Sequence, residues 1–203
     1  MRDPTRENIK PNDRRAAIDV VTAAEQGRIE CFMAEQVATE FSQHDQLIQQ
    51  EAEGKLHKFR DQLSRVNNIV GIYGSISLLD TSHFDSHVID ARKIVGRWLT
   101  QLNTVSPSDR AIKKALARMN AGRAPARRGK ESSKDCLVYE TVIEKTSALR
   151  AIDQTTPIVF VSSNTKEYQT EGSVLNPEIA AEFGTLNLRY APNMSAAKHF
   201  LGL

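Results

Sequence analysis

The segment PIVFVSSNTKEY, residues 157–168, carries the strongest structural signal in the chain. Pro157 opens a short run of β-branched and aromatic residues, a composition typical of a buried central strand. The run stops abruptly in four small polar residues at 162–165, which precede a lysine, an acid and an aromatic residue. The polar side chains that follow the strand, above all Asn164 and Glu167, are therefore candidates for a functional site.

Outward from this strand, helices and strands alternate along the chain. Strands separated by helices predict a small, mostly parallel sheet in a three-layer α/β/α sandwich. We expect residues 1–203 to form a single domain, with 46–129 as a helical insertion that ends in a basic loop. The first expected elements are a helix at 14–26 capped by Asn12 or Asp13, a strand at 28–33 and a long helix from Glu35 to Val66 that Gly54 kinks or divides. A turn at 67–75, a capped helix from Thr81 or Ser82 to Leu102 and a basic helix at 108–119 are expected next. The remaining expected elements are a helix from Asp135 to Arg150, the strand at 157–162, a turn helix near Pro177, a strand at 185–190 and a helix from Asn193.

The composition is that of an ordinary soluble protein, with 40% hydrophobic and 26% charged residues in 203. No stretch approaches 18 consecutive apolar residues, so no membrane span is expected. The charged, proline-containing N-terminus, MRDPTRENIKPNDRR, differs from the apolar core of a signal peptide. The chain has two cysteines, Cys31 and Cys136, and we expect both to be reduced thiols in a cytoplasmic protein.

The net charge of +2 conceals a strongly basic segment. Residues 110–134 contain nine lysines and arginines and one acid, Glu131, so this segment carries +8 and the rest of the chain −6. A segment of this charge attracts polyanions, nucleic acid above all. The alternative interpretation is a solvated helix followed by a floppy basic loop.

Three acid-bearing segments follow expected strands or begin expected helices. Glu40 lies early in the helix after strand 28–33, Asp135 begins a helix, and Asn164 and Glu167 follow strand 157–162. Because ligands of parallel sheets collect at the carboxyl ends of the strands, these groups are expected near one another. Clustered carboxylates repel unless a cation lies among them, and hard oxygen ligands suit Mg²⁺ or Mn²⁺. The alternatives are a helix-capping role for Asp135, a solvated Glu40 and an ordinary strand-ending turn.

Three segments resemble a PIN-like nuclease domain: GRIECFMAEQVATEF (27–41), SSKDCLVYETVIEKTSAL (132–149) and PIVFVSSNTKEY. In that family an Asp opens a helix, and a later strand ends in a Thr/Ser-x-Asp/Asn turn followed by a further acid and an aromatic residue. On this match Glu40 is the second acid of the family site and Asp135 the third. The turn supplies the fourth position through Asn164 or, in the ungapped register, through Thr165. Glu167 matches the second acid of the turn in both registers.

The resemblance implies a metal-dependent nuclease, and more specifically an endoribonuclease, that hydrolyses phosphodiester bonds. Glu40 and Asp135 would hold Mg²⁺ or Mn²⁺, with Asn164 and Glu167 completing the catalytic site. The flanking phosphates of RNA would then contact three residues of the basic loop: Arg127, Arg128 and Lys130. DNA as the substrate, a homodimer and an antitoxin-like protein partner stay open, and no membrane contact is expected.

Two other function classes compete with a nuclease. One is a catalytically inactive PIN-like module that binds RNA or a protein partner, and the other is a structural interaction protein built on helices 46–120. The family begins with a strand that ends in a metal-binding Asp, and no such strand precedes helix 14–26. We expect the reading frame upstream of Met1 to encode it.

Two further patterns invite functional interpretation. His83 and His87 lie four residues apart, a spacing that could bind zinc, but they lack a nearby Cys and a general-base Glu. Surface hydrogen bonding is the preferred interpretation for these histidines. Trp98 lies within an apolar helix face and is expected to pack in a core or an interface.

Overall fold

The computed structural model describes residues 10–74, 82, 86–127 and 131–203. Helices dominate these residues, and four short strands are interspersed among them. In chain order the elements are α1 (Pro11–Glu25), β1 (Cys31–Ala34), α2 (Glu35–Ile72), α3 (His87–Gln101), β2 (Leu102–Val105), α4 (Asp109–Ala121), α5 (Ser133–Ile152), β3 (Ile158–Val161), α6 (Thr165–Tyr168), a 3-10 turn (Glu171–Ser173), α7 (Pro177–Thr185), β4 (Leu188–Ala191) and α8 (Met194–Leu201).

The strands pair in parallel, as the alternation of helices and strands predicts. β1 pairs with β2, with Cys31 opposite Leu102, and β3 pairs with β4, with Ile158 opposite Leu188. The α/β fold class is therefore confirmed. Within the described residues the strands form two separate two-stranded sheets rather than one continuous sheet.

β3 differs from the buried central strand expected from its sequence. All four of its residues are only partly buried, and β4 is its one strand partner in the described part of the chain. A strand with one partner leaves its second backbone edge and part of each side chain uncovered. The apolar composition of β3 correctly indicates a strand but overestimates its burial.

Several predicted boundaries are wrong. The interval 46–129 was expected to be helical but contains a strand, β2, which pairs with β1 and begins at Leu102, the predicted last residue of a helix. The predicted turn at 67–75 is helical as far as Ile72, and Gly54 does not interrupt α2. The helix beginning near Ser82 instead begins at His87, and the first helix begins at Pro11 with Lys10 as its N-cap residue.

The chain divides into two compact units, and the division falls within α2. The first unit comprises residues 10–41 and 101–203 and contains all four strands. The second comprises 42–100, where α3 buries Val88, Ala91, Val95 and Trp98 on one face. The buried position of Trp98 confirms its expected packing role. None of the helices among the described residues is long and apolar enough to span a lipid bilayer.

The core of the first unit is an aromatic cluster between α5, α6, α7 and the β3–β4 sheet. Tyr139 stacks on Phe183 with ring centroids 5.9 Å apart, and Phe160 of β3 meets Tyr168 edge-on at 5.2 Å. Tyr139, Tyr168 and Phe183 are each at most 2% exposed. Large buried rings dominate the energetics of small cores, so this cluster fixes the position of α6 and of the turn before it.

A buried arginine joins α4, α5 and α7 beside this cluster. Arg118 donates to Glu140 and Glu182, each at 2.6 Å, and to the carbonyl oxygen of Ala124 at 2.5 Å. Its guanidinium lies 4.4 Å from the ring centroid of Tyr139, whose hydroxyl also donates to Glu182. Burial alone lowers the pKa of Arg118, but its hydrogen bonds to the two glutamates reverse the shift and leave that pKa raised.

The described part of the basic loop is attached to this core. Pro125 is fully buried, and Ala124 packs against the aromatic cluster. The backbone N–H of Ala124 donates to Glu178 on α7 at 3.1 Å. Residues 123–127 therefore do not form the flexible loop that was the alternative interpretation of the sequence, because both their backbone and their side chains have partners in the core. Arg128 and Lys130 lie outside the described residues.

Candidate nuclease site

The polar turn after β3 is held by its own hydrogen bonds and by the core. Ser162 Oγ accepts a hydrogen bond from the backbone N–H of Asn164 at 3.2 Å, and the carbonyl oxygen of Ser162 accepts one from Tyr190 at 2.9 Å. The single helical turn α6 follows, with Tyr168 buried beneath it. The aromatic residue of the motif thus anchors the turn, and it places the side chains of Asn164 and Glu167 at the end of the sheet.

Asp135 meets this turn from the first turn of α5. The side-chain amide of Asn164 donates to Asp135 Oδ1 at 3.1 Å, across 29 residues of sequence. The pKa of the Asp135 carboxyl is raised, first by burial and then by the negative charge of Glu167, with a smaller contribution from Glu40. The hydrogen bond from Asn164 and the charge of Arg127 act in the opposite direction. Three acids therefore lie close enough to interact electrostatically.

Glu40 reaches the site from α2, which begins directly after β1. Its Oε1 accepts a hydrogen bond from Gln36 Nε2 at 3.0 Å, the one-turn spacing of side chains on one helix face. The same oxygen lies 3.6 Å from the ammonium of Lys134, the residue before Asp135. A cation of the chain thus pairs with one of the acids that the sequence assigns to a metal site.

A second cation of the chain, Arg127, pairs with Glu167. Arg127 Nε lies 2.8 Å from Glu167 Oε2, yet that oxygen has no hydrogen-bond partner among the described residues. The contact is therefore an ion pair without the alignment of a hydrogen bond. The backbone of Arg127 is fixed separately, because its N–H donates to Ser132 Oγ at 3.1 Å at the start of α5.

The structure brings together the four residues expected to form the catalytic site, Glu40, Asp135, Asn164 and Glu167, through one hydrogen bond and electrostatic interactions. It places Arg127 against an acid of that site. The sequence reasoning missed Lys134 and Gln36 as partners of Glu40. The position of Lys134 directly before the helix-opening Asp is the one signal that could have indicated its role. The roles of these residues in catalysis stay predictions.

Whether these residues suit a divalent cation depends on their chemistry and on their arrangement. Asp135, Glu167 and Glu40 are hard oxygen donors whose mutual repulsion a cation would relieve, which fits Mg²⁺ or Mn²⁺. No group of three or more His, Cys, Asp or Glu side chains in the described ranges is arranged to hold a metal ion. The donors thus fit such a cation in chemistry and charge, while two of the three carboxylates are paired with Arg127 and Lys134 instead. His83 of the alternative zinc pair lies outside the described residues.

Cys31 and Cys136 are both free, which agrees with the expectation of two reduced cysteines. Burial raises the pKa of Cys136 to about 11, so this thiol stays protonated at neutral pH although it directly follows Asp135 in sequence.

Comparison with known protein families gives a match. A family model described as PIN domain matches residues 5–168, about four-fifths of the chain. The matched region includes Glu40, Asp135, Asn164 and Glu167. No curated protein and no solved structure matches the chain.

Proposed function

The chain belongs to the PIN domain family, and on that premise we propose that it is a divalent-metal-dependent nuclease that hydrolyses phosphodiester bonds in RNA. Membership of the family indicates a nuclease-type function in general terms. PIN domains are generally dependent on divalent metals, and they typically bind nucleic acids. RNA as the substrate, and Mg²⁺ or Mn²⁺ as the cofactor, go beyond the family and are the specific parts of the proposal.

The observation that carries the proposal is the contact between Asn164 and Asp135 within an acidic cluster. Two segments far apart in sequence, the turn after β3 and the first turn of α5, meet there through a 3.1 Å hydrogen bond. The pKa of Asp135 is raised by burial and then by the charges of Glu167 and Glu40, which Arg127 only partly offsets, and shifted acids of this kind are frequent at functional sites.

The roles of the side chains follow from their contacts. Asp135 and Glu40 would hold the cation, and the Asn164 amide fixes the orientation of the Asp135 carboxylate. When bound, Mg²⁺ or Mn²⁺ supplies Lewis-acid chemistry, which lowers the pKa of a water molecule and stabilises charge on a phosphate. Arg127, with Arg128 and Lys130 on the same loop, would contact the flanking phosphates and position the strand.

Cleavage of a labelled single-stranded RNA in Mn²⁺, in Mg²⁺ and in excess EDTA tests this function. We expect Mn²⁺-dependent cleavage by the unmodified chain, and a loss of at least about 100-fold in Asp135→Asn, because a principal cation ligand is removed. Asp109→Asn is the matched control, since Asp109 is an exposed aspartate in the first turn of another helix, α4. Cleavage that survives EDTA, or that survives in Asp135→Asn, would contradict the proposal.

The second candidate is a catalytically inactive PIN module that binds RNA. It is favoured by Asn164, which offers a cation a neutral oxygen in place of a carboxylate, and by the internal cations Arg127 and Lys134 beside two of the acids. RNA that is bound but not cleaved at millimolar Mn²⁺, by a chain whose circular dichroism shows it to be folded, would select this second candidate.

A further inference from the structure

The contact between Arg127 and Glu167 has features of a replaceable counter-ion. The two charged groups are 2.8 Å apart, but Glu167 Oε2 accepts no hydrogen bond in the described part of the chain. The Arg127 side chain is 40% exposed, whereas that of Glu167 is only 13% exposed. Glu167 is thus a largely buried carboxylate whose charge is balanced by a more exposed side chain and whose Oε2 retains unused hydrogen-bonding capacity.

The attachment of Arg127 allows its side chain to move without movement of the loop. Its backbone N–H is bonded to Ser132, and the preceding Pro125 and Ala124 are packed in the core. The backbone of Arg127 is therefore fixed, whereas its guanidinium can change partner by rotation about the side-chain bonds. A planar guanidinium binds phosphate and carboxylate with the same bidentate geometry, so a phosphate competes directly with Glu167 for it.

We propose that Arg127 is an internal counter-ion that pairs with Glu167 in the free protein and transfers to a backbone phosphate when nucleic acid binds, which frees Glu167 for a divalent cation. This inference rests on the proposed function, since it concerns the same acidic site. Its consequence is that nucleic acid and divalent cation bind cooperatively. Linkage requires the effect to be reciprocal, so the cation tightens nucleic-acid binding by the same factor.

The charges around the site give the direction of this coupling. With Arg127 in place, Glu167 is neutralised and competes poorly for an external cation. With Arg127 on a phosphate, the uncompensated charge of Glu167 adds to those of Asp135 and Glu40 and attracts a divalent cation more strongly. In the free protein Lys134 lies beside Glu40 at 3.6 Å, and the proposed exchange concerns Arg127 and the Glu167 side of the cluster.

Titration with Mn²⁺ alone, followed by the loss of the free-ion electron paramagnetic resonance signal, tests the first half of the proposal without any activity measurement. We expect Arg127→Gln to bind Mn²⁺ about three- to tenfold more tightly than the unmodified chain, near the lower end of typical site-to-site coupling. Lys113→Gln is the charge-matched control, because Lys113 is exposed on α4, and it should change the affinity by less than about twofold.

A double-mutant cycle assigns the effect to the pair. In a Glu167→Gln background, Arg127→Gln should increase Mn²⁺ affinity clearly less than it does in the unmodified chain, because only the weaker effect of the Arg127 charge on Asp135 remains. Equal Mn²⁺ affinity in the unmodified chain and in Arg127→Gln would overturn the counter-ion role while leaving the metal site intact. Failure of both proteins to bind Mn²⁺ would overturn the metal site itself, and the proposed function with it.

The second half is tested with a 2′-O-methyl oligoribonucleotide, which resists cleavage and carries the same phosphates. After subtraction of Mn²⁺ bound by the oligonucleotide alone, the unmodified chain should gain Mn²⁺ affinity when the oligonucleotide is present, and Arg127→Gln should gain clearly less. Equal gains in the two proteins would overturn the transfer of Arg127 to phosphate.

Discussion

Arg118 and Arg127 come from the same basic segment and both contact glutamates, yet their surroundings are opposite. The side chain of Arg118 is 5% exposed and that of its partner Glu140 is also 5% exposed, with hydrogen bonds of 2.6 Å. Arg127 is 40% exposed, and its contact with Glu167 lacks hydrogen-bond geometry. A buried charge with several aligned partners is part of the fold, whereas a half-exposed and poorly aligned one can be exchanged for another ligand.

This difference changes the meaning of the basic segment. Within the described part of this segment, four cations pair with acids of the chain: Arg118, Arg123, Arg127 and Lys134. The +8 charge counted from the sequence therefore overstates what is offered to a polyanion. Nucleic acid is therefore attracted by the remaining exposed cations of the segment and by those paired cations whose acid partner a phosphate can replace.

The largest expected effect is the loss of the buried arginine. Arg118→Met should lower the free energy of unfolding by about 3–5 kcal/mol, because it leaves the buried Glu140 without a partner and removes the donor to the Ala124 carbonyl. Urea unfolding followed by far-ultraviolet circular dichroism measures the change.

The matched control is Arg123→Met, since Arg123 pairs with Glu182, a partner of Arg118, but is 50% exposed. It should cost less than about 1 kcal/mol. If Arg118→Met cost no more than this control, the buried cluster would not be a structural element and the contrast with Arg127 would disappear.

The fold was predictable where local signals decide it. Ser108 caps α4 by accepting a hydrogen bond from the N–H of Ala111, and a serine directly before a segment of helical periodicity predicts such a cap. β2, by contrast, reads LNTV, with polar residues at its centre, and only its pairing with β1 makes it a strand. The predicted turn at 67–75 was wrong because Gly71 is tolerated inside a helix, which continues until just before Gly74, whose φ is +79°.

The site was predictable in its residue types but not in its pairings. Asp135 after two serines and Asn164 after an apolar strand stand out from the sequence, and they form a hydrogen bond. The partner of Glu167 comes from a loop 40 residues earlier, and its position depends on the burial of Pro125 and on the bond to Ser132. The sequence alone predicts that Arg127 contacts phosphate, and nothing in it indicates that Arg127 pairs with Glu167 in the folded chain.

An intermediate effect, dependent on pH, is expected at Asp135. Its raised pKa means that the folded state binds the proton more tightly than the unfolded chain, so the ionised carboxylate destabilises the fold at neutral pH. Asp135→Asn should therefore increase the free energy of unfolding at pH 7, by less than about 1 kcal/mol because the site is partly exposed. A carboxylate in the first turn of a helix is itself favourable, which further limits the gain.

The gain should decrease as the pH falls through the folded pKa and disappear below the ordinary aspartate value of 3.8, where Asp135 is protonated in both states. Urea unfolding of both proteins between pH 3.5 and 7.5 gives the difference at each pH. Asp109→Asn again serves as the control, and its difference should not follow this pattern. A loss of stability at pH 7 in Asp135→Asn would mean that the hydrogen bond from Asn164 outweighs the repulsion.

The smallest change in the free energy of unfolding is expected at Arg127, and a small change there is what distinguishes Arg127 from Arg118. Arg127→Gln removes one half-exposed ion pair and leaves the backbone bond to Ser132 unchanged, so the free energy of unfolding should change by less than about 0.5 kcal/mol. The same urea titration measures it beside Arg118→Met. A cost above about 2 kcal/mol would place Arg127 with Arg118 as part of the fold, and a guanidinium on which the fold depends that strongly could not be given up to a phosphate.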